Sequence, residues 1–347
     1  MLLKALINNV KHLFTRNQQK STESDNQSDN QSVWDNLSLG DRMKLYESFF
    51  TGNNFPGKYP YWPSRHCIRI PGGWPMRLDG YTDVPVGFYP VVRVDGHCFS
   101  KFTKQFTKPY DMRIVDAMNA ATMALVQEFH AIIGYTQSDE ITIVLPQDTE
   151  MFNRKCQKIA TLAASTAAVA FYNWLVGTGY NGKLPAFDAR VFGLPNRDEV
   201  ANCLIWRERD AIKNSISNVA QQPKFYSAKQ LVSKNSDQKI AMLAEKGYDF
   251  WKDTLLNYAR GTYFKRIVTT RPYTPEEIEK LPPKHQARTA PEGTILCTRA
   301  KIKAMHYPLA AHIANLPDVI FDNAKPVFKE GLKDIHEFET RDYPDDV

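Results

Sequence analysis

The sequence predicts an α+β fold: an antiparallel, polymerase-palm-like sheet in ferredoxin-like βαββαβ order, helices on one face, and helical and basic additions at the C-terminal end. Three observations carry this. The stretch Val91–Gly96 (VVRVDG) opens with valines that favour extended backbone and stops at Asp95-Gly96, a turn signal. In Gly134–Leu145 (GYTQSDEITIVL), Ile141, Ile143 and Leu145 alternate with Thr142 and Val144, the period of a half-buried strand. Ile132, Ile133 and Tyr135 precede it, so Ser138-Asp139-Glu140 falls at a tight bend between antiparallel strands. Helical patterns follow each of these segments and a further strand closes the unit, which is the layout of polymerase palms and nucleotide cyclases.

If the first strand lies beside this hairpin, Asp95, Asp139 and Glu140 converge at one edge of the sheet. Clustered carboxylates repel one another unless a cation sits between them. Hard oxygen ligands suit Mg²⁺, which usually brings phosphate with it. D-G and S-D-E are also ordinary turn tripeptides. Their place in the strand and helix order is what turns them towards phosphoryl or nucleotidyl transfer.

Composition sets wider bounds. The chain has 347 residues, 43% of them hydrophobic, ample for a sizeable core. No unbroken run of about 18 apolar residues occurs, so no membrane partner is expected. The cysteines (Cys67, Cys98, Cys156, Cys203, Cys297) are odd in number, scattered and without a C-x-x-C pair. This points to reduced thiols in a cytosol-like compartment rather than to a disulfide framework or a zinc site. A net charge of +6 permits nucleic-acid binding without demonstrating it.

In chain order, residues 1–38 read as an extension. Its first part is a basic amphipathic pattern with Leu2, Leu3, Leu6, Val10 and Leu13 on one side, and Gln19–Ser32 is a polar linker. A frayed end is the simpler reading; a targeting peptide would make the address mitochondrial rather than cytoplasmic. The folded part, 39–225, opens with a helix at Leu39–Tyr46 and is interrupted by a Pro-, Gly- and aromatic-rich insertion at 51–90.

Beyond the first strand, Cys98–Arg113 interleaves Lys101, Lys104 and Lys108 with Phe99, Phe102 and Phe106, a pattern that can neutralise phosphates and stack on a base, or simply form a half-buried loop. Asp111 caps a helix whose buried stripe is Val115, Met118, Thr122, Leu125 and Phe129. A second helix is expected over Met151–Leu175, with Ile159, Leu162, Thr166, Val169 and Ala170 inward. Arg154, Lys155 and Lys158 in its first turns act against the helix dipole and so suggest an anionic partner. A strand at Ala186–Leu194 precedes a third helix, Asn196–Ala220, whose Asn196 and Glu199 resemble a capping box. Residues 226–347 read as a helical and β region. Within it, 260–303 holds ten Lys/Arg against four Asp/Glu, so Lys301 and Lys303 are candidates for an RNA-facing surface.

The run VVRVDG-x-x-F, KPYD, GYTQSDEITIVL, FDARVF and CLIWRERDAIKNSI resembles the tRNA(His) guanylyltransferase superfamily, and most of all the guanylyltransferase-like 3′-to-5′ polymerases that repair tRNA 5′ ends. The resemblance spans about residues 39–266, apart from the insertion. It implies a nucleotidyltransferase with two Mg²⁺ ions held by Asp95, the Gly96 carbonyl and Asp139, with Glu140 beside them. It implies ATP and GTP or other nucleoside triphosphates as substrates, tRNA as partner and a homotetramer whose sites draw on neighbouring subunits. ATP would adenylylate the tRNA 5′-monophosphate, and the 3′-hydroxyl of an incoming nucleotide would then attack the activated phosphate. Phe99, Ser100, Lys108, Asp111, Gln137 and Ser138 fall on nucleotide-pocket positions, Lys155 and Lys158 on triphosphate-binding cations, and Arg190 on a basic residue needed for activity. Arg207, Asp210 and Asn214 fall on the helix that handles the tRNA end.

Two departures bear on specificity. The dedicated guanylyltransferases carry His where this chain has Ile212, which favours templated repair over addition of a single G to tRNA(His). Ser100 stands where the family usually has His, so the activating nucleotide is met by a hydroxyl that carries no charge. The alternatives are a dedicated tRNA(His) guanylyltransferase, a nucleotide cyclase, which would need neither the Trp206–Asn218 helix nor the basic 260–303 segment, and a catalytically silent RNA- or nucleotide-binding protein.

Overall fold

The computed structural model describes residues 38–51, 68–70, 74–76, 82–283, 296–305 and 309–332. The N-terminal amphipathic pattern, most of the 51–90 insertion and the acidic C-terminus lie outside them. In chain order the main elements are α1 (Leu39–Thr51), β1 (Ile68–Ile70), β2 (Trp74–Met76), β3 (Tyr89–Gly96), α2 (Met112–Glu128), β4 (Ile133–Gln137) and β5 (Glu140–Val144). They continue with α3 (Cys156–Gly177), β6 (Phe187–Leu194), α4 (Arg197–Ala220), α5 (Ser236–Glu245), α6 (Leu256–Arg260), β7 (Thr262–Pro272), β8 (Leu296–Met305) and α7 (Leu316–Asp322). β1 and β2 form a small hairpin inside the insertion, which was expected to be irregular throughout.

The other strands make one six-stranded antiparallel sheet in the order β6-β3-β5-β4-β7-β8. Its first four strands with α2 and α3 are the βαββαβ unit. The sheet then continues into the C-terminal region, where β7 pairs with β4 through Thr136↔Thr262 and its neighbours. Strand parity sorts the two faces. Gly134, on one face, lies against Val126 and Thr122 of α2, while Arg93, on the other, pairs with Glu47 of α1. Helices α2 and α3 thus cover one face as the layout requires, and α1 and α4 cover the other, so the sheet is sandwiched rather than one-sided.

The cap residues act as the sequence indicates. The Asp111 carboxylate accepts the Arg113 amide at the start of α2, and Asn196 accepts the Glu199 amide at the start of α4. In α2, Met118, Thr122 and Leu125 are buried and Val115 is half-buried, and Phe129, just beyond its end, is also buried.

The expected second helix is different in two respects. Met151–Arg154 is a separate 3₁₀ turn with Phe152 and Asn153 left-handed, and α3 begins only at Cys156. The buried stripe of α3 is Ile159, Ala163, Ala167, Phe171 and Leu175, whereas Leu162 and Val169 are exposed. Apolar residues stand on nearly every side of this helix, so periodicity gave no unique face. By length and composition alone α3 would pass for a membrane-crossing helix; here its alanines allow close packing on α2 and the sheet.

Candidate active site

Strand register builds the site. Asp95, near the end of β3, stands directly opposite Glu140 of β5 and Asp188 of β6. Directly opposed residues in antiparallel strands have Cβ atoms about 5 Å apart, so three acids form a row across three strands. Asp139 joins them from the bend before β5: the Gly96 amide donates to the Asp139 carbonyl at 3.0 Å, and the left-handed Ser138 (φ 50°) turns the chain there. The Ser138 hydroxyl donates to the Asp139 carboxylate at 3.0 Å. A side chain at position 96 would run into the Phe99 ring and come within 3.0 Å of Asp139 Cβ, so the Asp-Gly pair is required by close approach.

Burial, and after it the charges of Glu140 and Asp139, push the Asp95 carboxyl up to about 6. Burial also raises Asp139. Acids that disfavour one another's ionisation are what a bound cation relieves, so the donor set fits Mg²⁺. Among the described residues no three His, Cys, Asp or Glu side chains form a protein-only metal cage. Two carboxylates and the Gly96 carbonyl are the partial oxygen set that Mg²⁺ usually completes with phosphate and water.

Glu140 is differently placed. Its carboxylate accepts from Arg207 of α4 at 2.7 Å and from the Gln137 amide at 2.6 Å. Arg207 is 4% exposed, lies 3.8 Å from the centre of the Trp206 ring and also reaches Asp210 at 3.3 Å. The Arg207 expected at the tRNA end is thus a buried counter-charge. Asp210 is half-buried, and Asn214, exposed one turn on, donates to it at 3.4 Å.

Beside Asp139, on the α2 side of the sheet, opens a cavity of about 300 Å³. Phe99, Ser100, Lys108, Asp111, Gln137, Ser138 and Asp139 all line it, so the predicted nucleotide positions of two distant segments meet. Phe99 is 5% exposed and backed by Phe171 and Phe187 at ring-centre distances of 5.4 and 5.5 Å, which makes it a wall rather than a free face. Ser100 is exposed, and Lys108, which precedes a cis proline, donates to Thr103 at 3.3 Å. The Asp111 carboxylate is spent on its own loop, accepting from the Thr107 amide and from the Arg113 amide and guanidinium. The Arg113 contact holds its pKa well below the usual carboxylate range.

Other predicted residues stay outside this cavity. Lys155 and Lys158 line a separate groove with Asp83 at the start of α3. Phe171, thirteen residues beyond Lys158, is the part of α3 that touches Phe99, which at 1.5 Å per residue leaves the lysines about 20 Å from the site within one chain. Arg154 is 6% exposed, and its guanidinium donates to the carbonyls of Val84, Pro85, Phe88, Gln147 and Thr149. It ties loops together. Arg190 stands opposite Arg93, two positions from Asp188 on the Asp95 face. Lys301 and Lys303 lie on β8 opposite Ile267 and Lys265 of β7, on one face of the two-stranded ribbon.

Several residues around the site have no local signal in the sequence. Asp188 falls within the FDAR motif, and counting cross-strand partners of Asp95 would have found it. Asn218, Asn257 and Tyr258 close the far side of the cavity; they come from the end of α4 and from α6, and no local pattern links them to the acids.

The tRNAHis guanylyltransferase family model matches residues 78–195, the stretch that contains β3 to β6. The tRNA(His) guanylyltransferase of Candida glabrata is 33% identical over 184 residues, covering 49% of this chain and 76% of that protein. Its counterpart from Schizosaccharomyces pombe is 36% identical over 135 residues, covering 38% of this chain and 52% of its own length. A solved structure of a bacterial tRNA(His) guanylyltransferase-like protein in complex with ATP is 32% identical, covers 66% of this chain and 88% of that one, and superposes with a TM-score of 0.49. The family model and the likeness to the Candida glabrata enzyme place the chain: it belongs to the tRNA(His) guanylyltransferase family and is a nucleotidyltransferase.

Proposed function

We propose that this chain adds a guanosine nucleotide to the 5′ end of a tRNA, growing it in the 3′-to-5′ direction. The observation that carries this reading is that Asp139, which the Gly96 amide ties to the end of β3 beside Asp95, lines the cavity together with Ser100, Lys108, Gln137 and Ser138. The names of the relatives favour guanylyl addition to tRNA(His) over the templated repair that the motifs suggested.

Asp95, Asp139 and the Gly96 carbonyl would hold Mg²⁺, which when bound stabilises charge on phosphate oxygens and lowers the pKa of an attacking hydroxyl. Lys108 and Ser100 offer the triphosphate one charge and one hydroxyl donor. The buried Phe99 ring excludes water from the inner wall. Arg207 and Gln137 hold the Glu140 carboxylate between them. Adenylylation of the 5′-monophosphate releases pyrophosphate; attack by the 3′-hydroxyl of GTP on that phosphate then releases AMP. The exposed flank of β7 and β8, with Lys301 and Lys303, is the surface we assign to tRNA. Lys155 and Lys158 would meet a triphosphate only from a neighbouring copy, in the tetramer that the resemblance implies.

One observation favours templated repair as a second reading. Ile212, where the dedicated enzymes carry His, packs on the small apolar cluster around Leu243 and Phe250. The experiment is nucleotide addition to tRNA transcripts lacking the 5′ nucleotide, with each base in turn at the opposing position. Addition of G to tRNA(His) whatever base lies opposite supports the first reading. Addition that follows the opposing base moves the assignment to repair, and no addition to any RNA refutes both.

A further inference from the structure

The far wall of the nucleotide cavity is built by residues beyond the stretch that the family model covers. Tyr258 of α6 lies with its ring centre 4.5 Å from that of Tyr110, at 39°. Asn257 and Asn218 flank it on the same lining. The Tyr258 hydroxyl is buried beside Asn218 without completing a well-formed hydrogen bond among the described residues. Burial pushes this phenol up to about 12, so it stays protonated and able to donate.

The wall is also rigidly placed. The Tyr135 hydroxyl donates to the Arg260 carbonyl at 2.6 Å, and Ser215 donates to the Ala259 carbonyl at 2.9 Å. The Arg260 guanidinium is paired with the buried Glu208 carboxylate at 3.0 Å. Gly261, at φ 78°, lets the chain pass so close to the Thr136 carbonyl and Tyr135 that no side chain would fit. One hydrogen bond and a tight glycine therefore fix α6 to β4, the strand that ends next to the Asp139 bend, and two further contacts fix it to α4. A polar and aromatic wall fixed opposite a carboxylate edge is a preorganised site for a flat, edge-polar group whose charged end lies at the acids.

We propose that Tyr258, supported by Tyr110 and flanked by Asn218 and Asn257, is the base-binding wall for the nucleoside triphosphate. This rests on the reading of the cavity as a nucleotide site. The ring stacks on the base, and the hydroxyl and amides meet its polar edge, whereas Ser100 and Lys108 meet the phosphates.

The test compares equilibrium binding of ATP and of inorganic tripolyphosphate, each with Mg²⁺, to the full chain and to Tyr258→Leu and Asn218→Ala. Leucine keeps the apolar packing of α6 but removes the π face; Asn218 is exposed and its loss leaves the core intact. The expected result is ATP binding weakened about tenfold in Tyr258→Leu and severalfold in Asn218→Ala, with tripolyphosphate binding unchanged. ATP binding unaltered in both variants, or both ligands weakened equally, overturns the proposal. Base-selective loss in a chain that adds no nucleotide to RNA would leave this wall standing while removing the tRNA reading. Unaltered ATP binding in a chain that does add nucleotides would do the reverse.

Discussion

The Arg207 guanidinium sits 2.7 Å from the Glu140 carboxylate, and Glu140 is the cross-strand neighbour of Asp95. One cation on α4 therefore compensates the acid next to the edge we assign to Mg²⁺. In Arg207→Met, the half-buried Glu140 would lose its cation beside Asp95 and keep only the Gln137 amide. The expected loss is about 3 kcal/mol of stability, together with at least a tenfold fall in kcat as the acid row rearranges. Urea unfolding and steady-state kinetics on the folded variant check the two effects separately.

Gly96 is fixed by contact rather than by an unusual backbone angle. Gly96→Ala would push a methyl group into the Phe99 ring and towards Asp139. A cost of about 1–3 kcal/mol is expected, with a rise in KM for the nucleoside triphosphate because Phe99 lines its cavity. Thermal unfolding and an ATP titration measure them. An alanine variant as stable and as tight as the parent would contradict the packing described.

Arg154 makes the opposite kind of prediction. Five carbonyls accept its guanidinium, and a lysine ammonium has neither the donors nor the planar fork to replace it. Arg154→Lys is expected to lose about 2–3 kcal/mol of stability, with kcat per folded molecule unchanged. A selective loss of activity at full stability would return Arg154 to the phosphate-binding role that its position in the sequence suggested.

Lys265 gives a pH dependence. It is 3% exposed, donates to the Val319 carbonyl at 2.6 Å, and burial lowers its pKa from 10.5 to about 8. Between those two values the unfolded chain holds a proton that the folded chain has begun to release. This group therefore makes stability rise with pH through that window, and its contribution is constant below it. Denaturant titrations at pH 7.5 and 9.5 should show a shallower rise, or a steeper fall, in Lys265→Met than in the parent chain.

Local signals and long-range ones were not equally readable. The valines of β3, the alternation in β5 and the caps Asp111 and Asn196 act over a few residues, and they gave the βαββαβ unit and its acid edge. Alternation also contained the Asp95, Glu140 and Asp188 row, although register is needed to see it. The inward face of α3 was misread because alanine and larger apolar residues occur all round it. Arg154 and Arg207 looked like solvated or ligand-binding charges; their burial depends on loops and helices from up to 70 residues away. Tyr258 joins the site only because β7 pairs with β4, a contact with no trace in either segment alone.

The most direct measurement uses [α-³²P]GTP, ATP, Mg²⁺ and 5′-monophosphorylated tRNA(His) lacking its first nucleotide, with parent chain and Asp139→Ala in parallel, followed by nuclease mapping of the label. Label is expected at the 5′ end with the parent, and a loss of at least about a hundredfold with folded Asp139→Ala. Label at the 3′ end, no label at all, or equal labelling by Asp139→Ala would contradict that expectation.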